Sequence, residues 1–192
     1  MNPEACAVVL AGGRGARFGG DKALASFGGE PLLARAVRLL RGLGFAQVVV
    51  AAREAGGREI AGAEVVLDGT AQETPLAGLR AGLRAARFEL VFACAADMPF
   101  AADAALIDAL ARAIEGHAAA VPLSAGVEQP LASLWRREPS LAAADALLAG
   151  PASPGVKALV RAVKAVRLAW PDPRPFLDAD TPAALAQLER AL

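Results

Sequence analysis

Val8-Val9-Leu10-Ala11-Gly12-Gly13-Arg14-Gly15-Ala16-Arg17-Phe18-Gly19-Gly20-Asp21-Lys22 decides the reading of this chain. A short apolar run over residues 6–10, predicted as a buried strand, passes directly into a glycine-rich loop carrying Arg17 and Lys22. Glycine lets a ligand come close to the backbone, successive N–H groups can point at an anion, and two cations add charge. A phosphate chain needs all three. Lys22 is one of only three lysines among 20 basic residues, so its use here favours a compact ammonium over a planar fork. The loop is not a P-loop, because no Gly-Lys-Ser/Thr follows at the required spacing. It is a poor dinucleotide fingerprint too: Phe18 occupies the third glycine position and no acidic residue ends the second strand. A glycine-rich turn alone would be equally well read as structural; Arg17 and Lys22 tip the reading to anion binding.

Outward from this stretch, strands and helices alternate. Residues 31–43 read as a helix with Leu33, Ala36, Val37 and Leu40 on one face and Arg35, Arg38 and Arg41 on the other, opened by Pro31 and closed by Gly42 or Gly44. Strands are predicted over 47–51 and 64–67, and a second amphipathic helix over 75–86 with Leu76, Leu79 and Leu83 inward. A buried strand over 90–95 follows, then a helix over 104–115, and strands over 118–121 and 131–135 around a polar connection. Helices over 141–148 and 156–163 and a strand over 166–170 come next. Thr181-Pro182 opens a last helix with Leu185, Leu188 and Leu192 on one side. Such alternation implies an α/β fold in three layers, helices covering both faces of a mostly parallel sheet.

The chain has 192 residues, enough for one domain with a full core. The proline-rich stretch 171–175 is read as a loop inside that domain, since only about 20 residues follow it. The formal net charge is zero, which argues against a nucleic-acid-binding surface but not against one local anion site. No apolar run reaches about 18 residues, so no membrane span is expected. No basic segment precedes an apolar one at the N-terminus, so no secretory signal is expected and the protein is placed in the cytoplasm. Cys6 and Cys94 fall in strand-like runs and read as core residues; no Cys/His spacing resembles a zinc site. His117 is the only histidine and lies between elements, which discounts Ser-His-Asp and Cys-His chemistry.

Two acidic positions stand out. Leu90-Val91-Phe92-Ala93-Cys94-Ala95-Ala96-Asp97-Met98-Pro99 carries an apolar strand to Asp97, where Pro99 turns the chain away. If this strand neighbours the first, Asp97 sits beside the glycine loop and can hold Mg²⁺ against phosphate oxygens; in isolation it could equally cap a turn. Asp178-Ala179-Asp180-Thr181-Pro182 precedes the last helix. In an extended segment Asp178 and Asp180 point the same way, and they either complete a metal shell, contact a second substrate, or cap the helix.

Taken together these residues resemble the molybdenum cofactor guanylyltransferases, nucleotidyltransferases with a Rossmann-like sheet. Leu10-Ala11-Gly12-Gly13 with Arg17-Phe18-Gly19-Gly20-Asp21-Lys22 is similar to the family's nucleotide signature. Pro75-Leu76-Ala77-Gly78 is similar to its second motif, Asp97-Met98-Pro99 to its metal motif, and Phe176-Leu177-Asp178-Ala179-Asp180-Thr181-Pro182 to its C-terminal motif. The likeness runs from about Val8 to Leu188. It implies a single nucleotidyltransferase domain, nucleotide-binding in its N-terminal half and acceptor-binding in its C-terminal half. The implied reaction joins GMP from GTP to molybdenum-bound molybdopterin and releases pyrophosphate, with Mg²⁺ as cofactor and molybdoenzyme maturation proteins as candidate partners.

By motif, Leu10, Ala11, Gly12 and Gly13 would hold the guanine and ribose, with Gly78 also on the nucleotide side. Asp68, after the strand over 64–67, would position the nucleoside. Arg17 and Lys22 would neutralise the triphosphate, Asp97 would bind Mg²⁺, and Gln129, Asp178 and Asp180 would face the pterin. The inventory suits in-line attack on the α-phosphorus, which asks the protein for positioning and charge neutralisation and no covalent nucleophile. The chain departs from the family at Thr74, where glycine is frequent, at Asp178 and Asp180, where asparagine is frequent, near Ala51, where an asparagine is replaced, and at Gln129, where histidine is frequent. The alternatives are a cytidylyltransferase, or another nucleotidyltransferase, acting on molybdopterin or a phosphorylated small molecule, and a non-catalytic GTP-binding or cofactor-presenting module. Gly13 favours the guanylyl reading, since cytidylyl relatives resemble Leu-Ala-Ala-Gly at this point; having both Lys22 and Asp97 favours catalysis over binding alone.

Overall fold

The structure is a computed structural model that describes residues 4–12, 21–54, 60–69 and 72–190. In chain order the described elements are β1 (Ala5–Leu10), β2 (Ser26–Phe27), β3 (Glu30–Pro31), α1 (Leu32–Gly42), β4 (Gln47–Ala52), β5 (Glu64–Leu67), α2 (Pro75–Ala85), β6 (Leu90–Ala95), α3 (Ala104–Ala113), β7 (Ala119–Ser124), β8 (Val127–Glu128), β9 (Ala132–Arg136), α4 (Arg137–Leu148), α5 (Val156–Ala162), β10 (Val166–Ala169) and α6 (Pro182–Glu189). Lys22–Leu24 and Arg174–Phe176 form single 3₁₀ turns.

The main sheet runs β10-β7-β9-β6-β1-β4-β5, with β8 paired to β7. β1 lies parallel to both β4 and β6, and β4 to β5. β9 is antiparallel to β6 and β7, so the sheet is parallel from β6 to β5 and mixed beyond β6. The two-residue period of β1 sorts its side chains between two cores. Ala5, Ala7 and Val9 pack with Leu33, Val37 and Leu40 of α1 and Leu106, Ile107 and Leu110 of α3. Cys6, Val8 and Leu10 pack with Leu76, Leu79 and Leu83 of α2 and with α5. That is the three-layer arrangement the alternation of elements predicts. Its central strands are buried on both faces, hence their unbroken apolar sequences.

Three places differ from the sequence reading. Residues 26–31 form a small hairpin, and α1 starts at Leu32 after Pro31 has closed β3. The turn is Gly28-Gly29 with φ of 61° and 84°, the positive-φ pair that a two-residue hairpin needs. The polar connection between β7 and β9 holds another short strand, β8, reached through Ala125 and Gly126 at positive φ. α4 begins at Arg137, directly after β9, rather than at residue 141. Pro139 obscured that start, yet proline in a first turn forfeits no helical hydrogen bond.

A third, small core joins this hairpin to the C-terminus: Phe27 and Leu32 pack with Ala179 and Leu188. Glu189 accepts a hydrogen bond from the Gly28 backbone N–H at 2.7 Å. The segment before α6 is thereby brought across the molecule to the tips of the sheet.

Candidate nucleotide site

The carboxyl ends of β1, β4, β5 and β6 all open on one side. In such a sheet the crevice lies where strand order reverses, here between β1 and β6. A cleft of about 250 Å³ occupies that place. Leu10, Ala51, Asp68 and Ala95, from the ends of the four strands, line it together with Gly12, Gly78 and Asp97. Its far wall is the start of α2. Thr74 caps that helix, its hydroxyl accepting from Leu76 N–H at 3.3 Å and donating to the Pro154 carbonyl at 2.7 Å. Gly78 is there because the helix crosses β1 closely: a Cβ would sit 3.3 Å from Leu10 Cδ2 and 3.8 Å from Ala51 Cβ.

A smaller recess beside the cleft is lined by Leu10, Ala11, Lys22, Ala23, Ala96 and Asp97. Leu10 and Asp97 belong to both, so Asp97 stands at the junction. Asp21 begins the turn that carries Lys22, its carboxylate accepting from Ala23 N–H at 3.1 Å. Lys22 Nζ lies 2.5 Å from Asp97 Oδ2 and also donates to Asp180 Oδ1. Asp180 arrives through a backbone hydrogen bond of 2.9 Å from Ala179 N–H to the Asp97 carbonyl, which ties the C-terminal segment to the tip of β6.

The electrostatics follow from that convergence. Burial alone would lower the Lys22 ammonium, but its hydrogen bonds and charge contacts with Asp180 and Asp97 outweigh burial and hold it above the ordinary lysine value. Asp178 is pushed up from the usual carboxylate range by burial and then by the negative charges of Asp180 and Asp97. Asp97 and Asp180 thus share the Lys22 ammonium among the described residues, and Asp178 lies within reach of their charges, an excess of negative charge that suits a cation. Among the described residues no three His, Cys, Asp or Glu side chains are arranged to hold a metal by themselves. A divalent ion here would need phosphate oxygens or water to complete its shell, which is how Mg²⁺ is usually held.

The structure therefore brings together Leu10, Ala11, Gly12, Lys22, Asp68, Gly78, Asp97, Asp178 and Asp180. Gly13 and Arg17 lie outside the described residues. Gln129 lines neither opening; its backbone N–H is used by the Pro122 carbonyl at 2.9 Å, and Leu131 two positions on reaches the cleft instead. Sequence reasoning missed Arg53 and Glu73, which face each other at 3.6 Å across the mouth of the cleft. The signal was available: Arg53 follows the end of β4 as Asp97 follows the end of β6. His117 is exposed. Cys6 and Cys94 are buried free thiols pushed up to about 12, chiefly by burial, so neither supplies a thiolate. Among the described residues no helix is long and apolar enough to cross a membrane.

Comparison with known proteins bears on the family and the fold. A family model described as the MobA-like NTP transferase domain matches residues 7–168. A molybdenum cofactor guanylyltransferase of Pseudomonas putida is 36% identical over 175 residues, covering 90% of this chain and 91% of that one. A protein of the same name from Burkholderia vietnamiensis is 34% identical over 203 residues, covering 99% and 98%. Among solved structures, the molybdopterin-guanine dinucleotide biosynthesis protein A of Archaeoglobus fulgidus superposes with a TM-score of 0.79 at 20% identity, over 97% of each chain. That last likeness speaks for the fold.

Proposed function

Because the chain belongs to the MobA-like NTP transferase family, we propose that it transfers GMP from GTP to molybdenum-bound molybdopterin, giving the guanine dinucleotide form and pyrophosphate. It is a nucleotidyltransferase, and the observation that carries the assignment of its parts is the Lys22–Asp97 contact of 2.5 Å at the junction of the two openings. The large cleft takes the nucleoside: Leu10 and Gly12 line it, Gly78 leaves room, and Asp68 offers a carboxylate to the guanosine, while Ala11 lines the adjoining recess and Gly13 is assigned with them by motif. Lys22 and, by motif, Arg17 neutralise the triphosphate. Nucleotidyltransferases of this kind use a divalent metal. Here Mg²⁺ would be held by Asp97 and would screen the phosphates while polarising the α-phosphorus.

The acceptor's phosphate oxygen attacks the α-phosphorus in line, the bond to the α–β bridging oxygen breaks, and pyrophosphate leaves with that oxygen. Lys22 meets the charge that builds on the leaving group. The acceptor approaches from the side of Asp178 and Asp180, with Gln129 at its outer edge. The whole chain acts as one domain working in the cytoplasm, its product passing to molybdoenzyme maturation proteins.

The test is to incubate the protein with Mg²⁺, molybdenum-loaded molybdopterin and each of the four nucleoside triphosphates in turn, and to follow pyrophosphate. Release with GTP alone, and only with acceptor present, is the expected result. Preference for CTP would make this a cytidylyltransferase; tight GTP binding without turnover would make it a binding module.

A further inference from the structure

Lys22 is held by two carboxylates of unlike standing. Asp97 lies just past the end of buried β6, after Ala96, and its side chain is 26% exposed. Asp180 sits on the segment before α6 and is 57% exposed, whereas Lys22 itself is only 13% exposed. We propose that Asp180 is a positioning residue that occupies Lys22 as a stand-in for a nucleotide phosphate, and that the triphosphate must displace it to bind. This rests on the reading of Lys22 as a triphosphate ligand and adds an internal competitor to it.

The charges favour an exchange. Among the described residues Asp97, Asp178 and Asp180 outweigh the Lys22 ammonium, so a polyanion that arrives without a metal ion meets repulsion that the withdrawal of one carboxylate relieves. Asp97 has the less room to withdraw: its side chain is the more enclosed of the two and stands where the cleft and the recess meet. Asp180 needs only a side-chain rotation into solvent, since the Ala179 hydrogen bond and the Thr181 cap of α6 hold the backbone on either side of it. Lys22 is thus kept pointing at the phosphate position while nucleotide is absent, at the cost of weaker nucleotide binding.

The test is a double-mutant cycle on GTP binding, measured by calorimetry in EDTA at physiological ionic strength, so that metal plays no part and long-range charge is screened. Asp180→Asn should tighten the GTP Kd about three- to tenfold, the range expected for losing a half-exposed charge-assisted contact. Asp180→Ser should do the same, which guards against a fault peculiar to one variant. Asp178→Asn removes equal charge without freeing Lys22 and should tighten binding less than twofold. In a Lys22→Ala background Asp180→Asn should give no gain. An Asp180→Asn Kd within twofold of wild type, equal gains from Asp178→Asn, or a gain that persists without Lys22 would each overturn the proposal. If Lys22→Ala by itself leaves the GTP Kd unchanged, the assignment of Lys22 to the triphosphate falls instead.

Discussion

The tips of β1, β4 and β6 and the strap 176–181 supply two sides of one site, and very different amounts of structure hold them. The tips end strands whose residues are almost fully buried, hydrogen-bonded on both sides and packed by helices above and below. The strap is anchored at its start by Phe176 in the main core and beyond that by one backbone hydrogen bond to Asp97, the Asp180 contact with Lys22, Ala179 in a four-residue core shared with Leu188, and the Glu189 contact to the Gly28 N–H. The nucleotide, whose phosphates must be aligned for in-line displacement, is assigned to the rigid side. Asp180, the carboxylate proposed to exchange, stands on the looser one. Precision is placed where the chemistry needs it and adaptability where a second substrate must enter.

Four substitutions would break or sharpen this contrast. Asp97→Asn strikes the junction of the two regions and should lower kcat by about 10²–10³, the scale for losing one charge-stabilising group, with an unchanged circular dichroism spectrum; normal pyrophosphate release would remove Asp97 from the mechanism. Leu188→Ala empties part of the small core and should cost the strap about 2–3 kcal/mol locally. Transfer to acceptor should fall about tenfold or more while calorimetry shows GTP binding no weaker than wild type. A parallel loss of GTP affinity would mean that the strap, too, is part of the nucleotide cradle.

Gly82→Ala tests the rigid side. The added methyl would lie 2.4 Å from Val8 Cγ1 and 2.7 Å from Cγ2, with helix backbone on one side and central strand on the other. Overpacking of about 1–3 kcal/mol is expected, lowering Tm by about 2–4 °C for each; a Tm equal to wild type would show that α2 can lift from β1 without penalty. Asp178→Asn has the smallest effect. A carboxyl raised in the folded state disfavours folding above its folded value and loses that penalty as the pH falls through it. Removing the charge should therefore stabilise at pH 7, by less than about 0.5 kcal/mol for so exposed a group, and the gain in urea midpoint should shrink toward pH 4. A gain that grows on acidification would refute the assigned cause.

The sequence by itself determined most of the sheet and one side of the site. Unbroken apolar runs before Gly12 and Asp97, short and ended by glycine or proline, read as strands covered on both faces, and a helix with Leu76, Leu79 and Leu83 on one side reads as lying against them. Those signals are local, so residues 6–10, 47–51, 64–67 and 90–95 were readable without a partner in view. The hairpin at 26–31 and the strand β8 escaped because two-residue strands carry no period. Arg53 could have been found from its place after β4, but its meeting with Glu73 could not, because nothing along the chain shows that positions 20 residues apart meet across a cleft. The pairing of Lys22 with Asp180 lies 158 residues apart in sequence, and no pattern of spacing encodes it. It depends on β6 lying beside β1 and on the strap crossing to Asp97, and long-range packing alone decides both.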